Sequence, residues 1–280
     1  MIYSKKIMNK IPKSITSSLQ YSFTIIAGMS TIAGLWGYTV RDINEKFQWW
    51  LWGLILLGAF LLLSLVVFLI ISKTKHKEYS TVINGKPITI KVGDIFKESG
   101  WKVIPFSERF DTDVDDRIVA HNTLNGKMID YHVDNFDDFK QTIINAENDT
   151  KSNLKPHTVK GKKIYPLGRL IPYKDFLLLA FSHFNENDRS YLNIGEYEQM
   201  LFSMWDEMRN VYAAKHIVLP LLGGGVTTIN EFQEKNYTDL LTCMLCTLRK
   251  SGFQPDQGIS IILTQEAIEK IDMNIIREEF

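Results

Sequence analysis

HIVLPLLGGGVTT, His216–Thr228, is a short unbroken apolar run that ends in a glycine triplet. A strand covered on both faces reads as such a run, because neither side of its pleat meets water. A buried strand is therefore expected over His216–Pro220. Glycines directly after a strand let the backbone approach a ligand closely and turn successive N–H groups toward an anion. In an α/β sheet the crevice beyond the strand C-termini is the usual ligand site. The loop is not a Walker A loop, since no Gly-Lys-Ser/Thr follows, and it is not G-x-G-x-x-G, since residue 228 is Thr. Taken alone, a glycine triplet also fits a plain tight turn.

Runs of the same kind recur on both sides of it. FLLLAFS gives a strand at Phe176–Ser182 and ISIIL one at Ile259–Leu263, with shorter candidates at Pro87–Val92 and Lys102–Pro105. Between them lie stretches with helical periodicity. Ile194–Ala213 carries Tyr197, Leu201, Trp205 and Met208 on one stripe; Tyr237–Lys250 and Glu266–Arg277 follow. Strands interleaved with amphipathic helices predict a layered α/β sheet. Asp134–Lys163, with NAENDTKSN at its middle, reads as a polar insertion (about residues 131–165) built around a mobile loop. KVGDIF at Lys91–Phe96 is a second strand end with ligand chemistry. An acidic side chain there can accept from an exocyclic amine while a neighbouring N–H meets a ring nitrogen. Gly-Asp after a strand also serves as a simple turn.

The N-terminal quarter has a different composition. Residues 14–40 and 47–72 contain no Asp, Glu, Lys or Arg, although the chain as a whole balances 32 basic against 32 acidic residues over its 280 positions. A helix needs roughly 20 apolar residues to span a bilayer core. A hairpin of two transmembrane helices is expected at about 17–40 and 47–72, within a domain of residues 1–78 that precedes a second domain over 79–280. Lys5, Lys6, Lys10 and Lys13 before it, and Lys73, Lys75 and Lys77 after it, outweigh Arg41 and Lys46 in the loop, so both termini are expected on the cytoplasmic side. Trp36, Tyr38, Trp49, Trp50 and Trp52 cluster at the loop side as an interfacial belt. Small residues four apart (Ala27 and Thr31, Ser30 and Gly34, Ala33 and Gly37) suit close helix packing, within one chain or between copies.

Other features are less telling. The balanced charge gives no sign of a nucleic-acid partner. Cys243 and Cys246 read as buried, reduced thiols on one helix. His121, His132, His157, His183 and His216 lack metal-ligand spacing and read as surface or satisfied interior histidines. The run Asp111, Asp113, Asp115, Asp116 lacks the glycine and terminal glutamate of a calcium loop. No cofactor or metal is expected.

The strand ending GDI and the strand ending PLLGGGV together resemble a macro domain, the ADP-ribose-binding fold. IPFSERFDT (Ile104–Thr112), TLNG (Thr123–Gly126) and YPLGR (Tyr165–Arg169) resemble the divergent macro domain of Thoeris antiphage systems, which sits behind a pair of transmembrane helices. The resemblance implies a three-layer α/β/α sandwich of macro-domain type preceded by the hairpin. It implies that Asp94 contacts an adenine amine with Ile95 beside it, and that Gly223, Gly224, Gly225, Val226 and Thr227 wrap a diphosphate and distal ribose. It further implies a first ligand loop of Ser107, Phe110, Asp111 and Thr112, with Gly168 from YPLGR as another ligand contact. Hydrolytic macro domains carry Asn-Ala-x-Asn in that loop; Pro-Phe-Ser-Glu-Arg stands here instead, which favours binding over ADP-ribosyl hydrolysis. The expected function is an inner-membrane effector, homo-oligomeric and in contact with membrane lipid. It would sense an ADP-ribose-containing nucleotide signal, such as a histidine conjugate, made by a TIR-domain NADase. The alternatives are a membrane-tethered ADP-ribosyl hydrolase and a passive ADP-ribose-binding scaffold.

Overall fold

A computed structural model describes residues 20–28, 31, 57–58, 60–67, 78–185, 189–211, 213–230 and 235–280. The chain divides into two compact units, Met1–Lys77 and Glu78–Phe280. In the first, residues 20–28 and 60–67 are helical, and the hydroxyls of Thr24 and Thr31 donate to carbonyls one turn back. Most of the expected hairpin, including its loop, its aromatic belt and the Ser30 and Gly34 positions, lies outside the described residues. Among the described residues no helix is long and apolar enough to cross a membrane.

The second unit is built on one mixed sheet. Its strands are β1 (Glu78–Ile83), β2 (Lys86–Val92), β3 (Trp101–Ser107), β6 (Leu170–Tyr173), β7 (Phe176–Phe184), β8 (Ser190–Leu192), β9 (Ile217–Pro220), β10 (Thr228–Ile229) and β11 (Ile259–Leu263). They run in the order β1-β2-β11-β9-β3-β7-β8-β10, with β6 beside the first half of β7. From β2 to β7 the neighbours are parallel, so Val92, Ser107, Ser182, Pro220 and Leu263 all lie at one end of the sheet.

Alternation along the central strands explains the layers. In β7, Leu177, Leu179 and Phe181 enter one core, while Phe176, Leu178 and Ala180 enter the other. Successive side chains of a strand point to opposite faces, and here both faces are covered. One face packs on α3 (Ile194–Val211), α4 (Tyr237–Ser251), α5 (Gln265–Lys270) and α6 (Met273–Glu279); the other packs on α1 (Leu124–His132) and α2 (Phe136–Asn145). The result is the expected three-layer α/β/α sandwich.

Three expectations need correction. The single helix over Glu266–Arg277 is two helices. Asp272 breaks it: its carboxylate accepts from Asn274 N at 2.9 Å, and its own N–H donates to Thr238 Oγ1 at 2.9 Å. Aspartate favours such caps because its side chain competes with the helical backbone for hydrogen bonds. The insertion is not a bare loop, since it holds α2 and a hairpin of β4 (His157–Val159) and β5 (Lys162–Ile164). Phe139 and Ile143, four apart on α2, are buried in the second core. The two cysteines are free and only half-buried, with burial pushing the Cys243 thiol up to about 12.

Candidate functional site

A cavity of about 930 Å³ opens across the strand C-termini. Its wall includes the C-terminal ends of β3, β7 and β11 and the segments just after β2, β9 and β11, so five strand ends converge on one space. The volume falls in the range of roughly 300–1,000 Å³ that suits a small-molecule ligand.

The glycine loop forms one side. Gly224 N donates to Leu221 O at 3.1 Å, closing a turn, and Gly223 at its third position has φ +82°. A type II turn demands positive φ there, which only glycine adopts without strain. Within the triplet the positive φ falls on Gly223 alone. Beyond the turn, the N–H groups of Gly225, Val226 and Thr227 have no acceptor among the described residues. Thr227 is itself 7% exposed, and its hydroxyl lies 2.8 Å from Ser190 Oγ. Ser190 donates onward to Ser182 Oγ at 2.7 Å. With its single proton so committed, Ser190 accepts from Thr227, and the relay ties the glycine loop to β7 and β8.

Opposite the loop, Asp94 Oδ1 accepts from Phe96 N at 3.1 Å and caps the 3-10 turn Ile95–Lys97. The carboxylate keeps its other oxygen near the Lys97 ammonium at 3.8 Å, with its side chain about half exposed. Ile95 is buried beneath it. Ser107, at the end of β3, donates to Asp111 Oδ2 at 2.7 Å. Among the cavity's lining residues the acids are Asp94 and Glu266, and the Lys270 ammonium beside Glu266 holds its carboxyl below the usual range. Arg117, Lys127 and Arg189 line the same space.

Asp94, Ile95, Ser107 and Gly223–Thr227 are thus brought together, while Phe110, Asp111, Thr112 and Gly168 do not line the cavity. Phe110 is buried in the second core with φ +50°, edge-on to Tyr165 at 5.0 Å between centroids. Asp111 reaches the site only through Ser107. Gly168 lies against α3, where a side chain would meet Ser203 Cβ at 2.4 Å. What the sequence reading missed is the rim at Arg117–Lys127. Asp115 folds it by accepting from Arg117 N and Ile118 N at 3.0 and 2.8 Å, and these bonds hold its carboxyl below the ordinary value. Thr123 then caps α1 by accepting from Gly126 N at 3.2 Å. Thr123 ahead of an apolar-periodic run was a readable helix-start signal; that this helix faces the cavity was not readable.

His183, on the opposite side of β7 from Ser182, is held by Glu108 Oε2 at 2.5 Å, with Glu196 Oε1 3.6 Å from its other nitrogen. The hydrogen bond its Nδ1 makes to Glu108 raises its pKa above the usual histidine value against the opposing effect of burial.

A family model described as Thoeris protein ThsA, Macro domain, matches residues 88–264. The Thoeris protein ThsA of Bacillus amyloliquefaciens (strain Y2) is 32% identical over 234 residues, which cover 80% of this chain and 77% of that protein. Solved structures that align include an Oceanobacillus iheyensis macrodomain mutant with ADPR, at 14% identity over 72% of this chain and 98% of that one, with a TM-score of 0.47. The Oceanobacillus iheyensis macrodomain with ADP aligns at 13% identity over the same shares, with a TM-score of 0.45. The chain belongs to the Thoeris ThsA family, and its second unit is that family's macro domain.

Proposed function

We propose that the chain is an antiphage effector whose macro domain captures an ADP-ribose-containing nucleotide signal and whose N-terminal segments act on the membrane. The observation that carries the ligand class is the pairing of two features across one cavity. A half-exposed carboxylate, Asp94, stands at one strand end, and a glycine turn with three N–H groups that have no acceptor among the described residues stands at another. The carboxylate suits an exocyclic amine, and consecutive backbone donors suit a diphosphate. Family membership supports the place in Thoeris defence.

Binding rather than turnover is the reading favoured for this cavity. Among the described residues no histidine lines it, and the acids that do are Asp94, the proposed acceptor for the ligand's amine, and Glu266, paired with Lys270. A general base needs a free acceptor within reach of the attacking water. The loop at the end of β3 also reads Pro-Phe-Ser-Glu-Arg (Pro105–Arg109) where hydrolytic relatives carry Asn-Ala-x-Asn; the Asn-Ala-Glu-Asn of this chain, Asn145–Asn148, lies instead at the C-terminal end of α2. The N-terminal apolar segments and flanking lysines motivate the membrane role: the signal, made by a TIR-domain NADase, favours an assembled form in which hairpins from several copies disrupt the inner membrane. Such a switch requires the ligand to bind the assembled state more tightly than the resting one.

Calorimetry of the full-length chain against ADP-ribose, its amino-acid conjugates and AMP tests the ligand class. Saturable binding of the diphosphate ligands, recovered unchanged after incubation, is the expected result. Multiple turnovers would establish a hydrolase instead. Binding without ligand-dependent dye release from vesicles carrying the protein would leave a scaffold.

A further inference from the structure

Lys235 stands just ahead of α4, and its ammonium donates to the Gly225 carbonyl. Two residues on, the Tyr237 hydroxyl reaches the Gly224 carbonyl at 3.5 Å. Gly225 and Val226 line the cavity; Lys235 does not. The described peptide bonds are all trans. In a trans peptide the carbonyl of one residue and the N–H of the next point in opposite directions. Drawing the Gly225 carbonyl toward Lys235, away from the cavity, therefore turns the Val226 N–H toward it. The longer Tyr237 contact biases the Gly224–Gly225 peptide, and Gly224 N is already committed to Leu221 O at 3.1 Å.

We propose that Lys235 is a positioning residue that holds the glycine loop in its anion-binding form from outside the cavity. The proposal rests on the diphosphate reading given above, and adds that the loop's donor array is imposed by a neighbouring side chain rather than by the glycine sequence. The loop needs such a hold. Gly225 has open space around its α-carbon, and both Gly225 and Val226 are exposed, so packing does little to fix these peptides. A glycine-rich segment left to itself samples many peptide orientations. Burial lowers the pKa of this lysine, and among the described residues its ammonium has the Gly225 carbonyl as acceptor.

The test uses the full-length chain and two variants, Lys235→Ala and Lys235→Arg. In the ligand-free protein, Lys235→Ala is expected to move the amide resonances of Gly225 and Val226, leave those of β2 and β11 in place, and leave the unfolding midpoint unchanged. Affinity for ADP-ribose should fall about tenfold, the scale of a lost charge-assisted hydrogen bond, while affinity for adenosine, which has no diphosphate, stays the same. Lys235→Arg should restore both the amide positions and the affinity. Unmoved loop amides in Lys235→Ala would overturn the proposal whatever the affinity does; a loss of binding under that condition would make Lys235 a direct ligand contact. Equal loss for adenosine and ADP-ribose would also overturn it, as a general structural effect. If the wild-type chain bound no ADP-ribose, the diphosphate reading would fall, and the amide shifts would still decide whether Lys235 orders the loop.

Discussion

The guanidinium of Arg169, 1% exposed, is paired with the carboxylate of Glu207, 3% exposed on α3. A second arm of the same guanidinium reaches Asp149 Oδ2 at 2.8 Å and the Ala146 carbonyl at 3.3 Å. One side chain from the YPLGR segment thereby ties the helix on one face of the sheet to the part of the insertion that follows α2. Among the described residues its Nε has no partner, so there the buried charge is held by these contacts.

Glu207→Gln is expected to destabilise the fold by about 1–3 kcal/mol, because it removes the buried one of the two carboxylates paired with Arg169 and leaves Asp149 alone as its counter-charge. Arg169→Met combined with Glu207→Leu should recover much of that loss, since buried ion pairs are often replaceable by well-packed apolar groups. Denaturant midpoints of the three variants check this. A double variant as unstable as the single would mean the pair contributes beyond cancelling its own desolvation.

His183 makes stability depend on pH. Its folded pKa is raised by Glu108, with Glu196 adding to the effect. A raised value means the folded state binds the proton more tightly, so the stabilisation is fully present below the unfolded pKa of about 6.5. It is lost as pH rises through the folded value. His183→Gln should therefore lower the melting temperature at about pH 6 and have a smaller effect at about pH 9. A constant difference between variant and wild type across that range would show that the imidazole is never charged here.

Much of this fold could be read from the chain because its central strands are covered on both faces and so lose all polar punctuation. Ile259–Leu263 is bounded as expected, and Phe176–Ser182 falls short by two residues. The edges were less legible. In β1, Glu78, Ser80 and Val82 are exposed while only Ile83 is buried, so the strand lacks an apolar signature. The site was legible where one segment supplies it, at Asp94 and Gly223–Thr227. It was not legible where distant segments meet, as when Ser182, Ser190 and Thr227 join through hydroxyls. Spacing in sequence carries no information about such a meeting. Phe110 and Gly168 are the opposite case: the resemblance implied ligand contact, and the structure buries both outside the cavity's lining.

Within the cavity, Asp94→Ala removes a half-exposed acceptor as well as the cap on the turn Ile95–Lys97. The expected loss of ADP-ribose affinity is about 1 kcal/mol, near fivefold, because water already satisfies part of that carboxylate. Gly223→Val should cost more, since it forces a β-branched residue to φ +82° with Leu240 Cδ2 only 3.2 Å from the new Cβ. Calorimetry against ADP-ribose and AMP separates the two. Asp94→Ala should weaken both ligands, and Gly223→Val the diphosphate ligand more. The reverse pattern would exchange the adenine and diphosphate ends of the cavity.

Gly168 and Gly225 allow the two meanings of a glycine to be compared with one substitution. A Cβ at Gly168 would lie 2.4 Å from Ser203 Cβ and 2.9 Å from Met200 O and Met204 N, at φ +91°. Nothing in α3 can yield by that distance without displacing backbone, so Gly168→Ala should cost about 2 kcal/mol or more. A Cβ at Gly225 meets nothing within 4 Å, and its φ is not positive. Gly225→Ala should therefore leave stability within about 0.5 kcal/mol of wild type. Affinity should behave the other way round. The folded fraction of Gly168→Ala should keep its ADP-ribose affinity, because the residue is outside the cavity, whereas Gly225→Ala places a methyl where the diphosphate must approach the backbone. Denaturant titration and calorimetry on the same two proteins decide the matter. If Gly168→Ala were stable yet failed to bind, the YPLGR segment would return to the ligand site, and the cavity would have to be redrawn to reach α3.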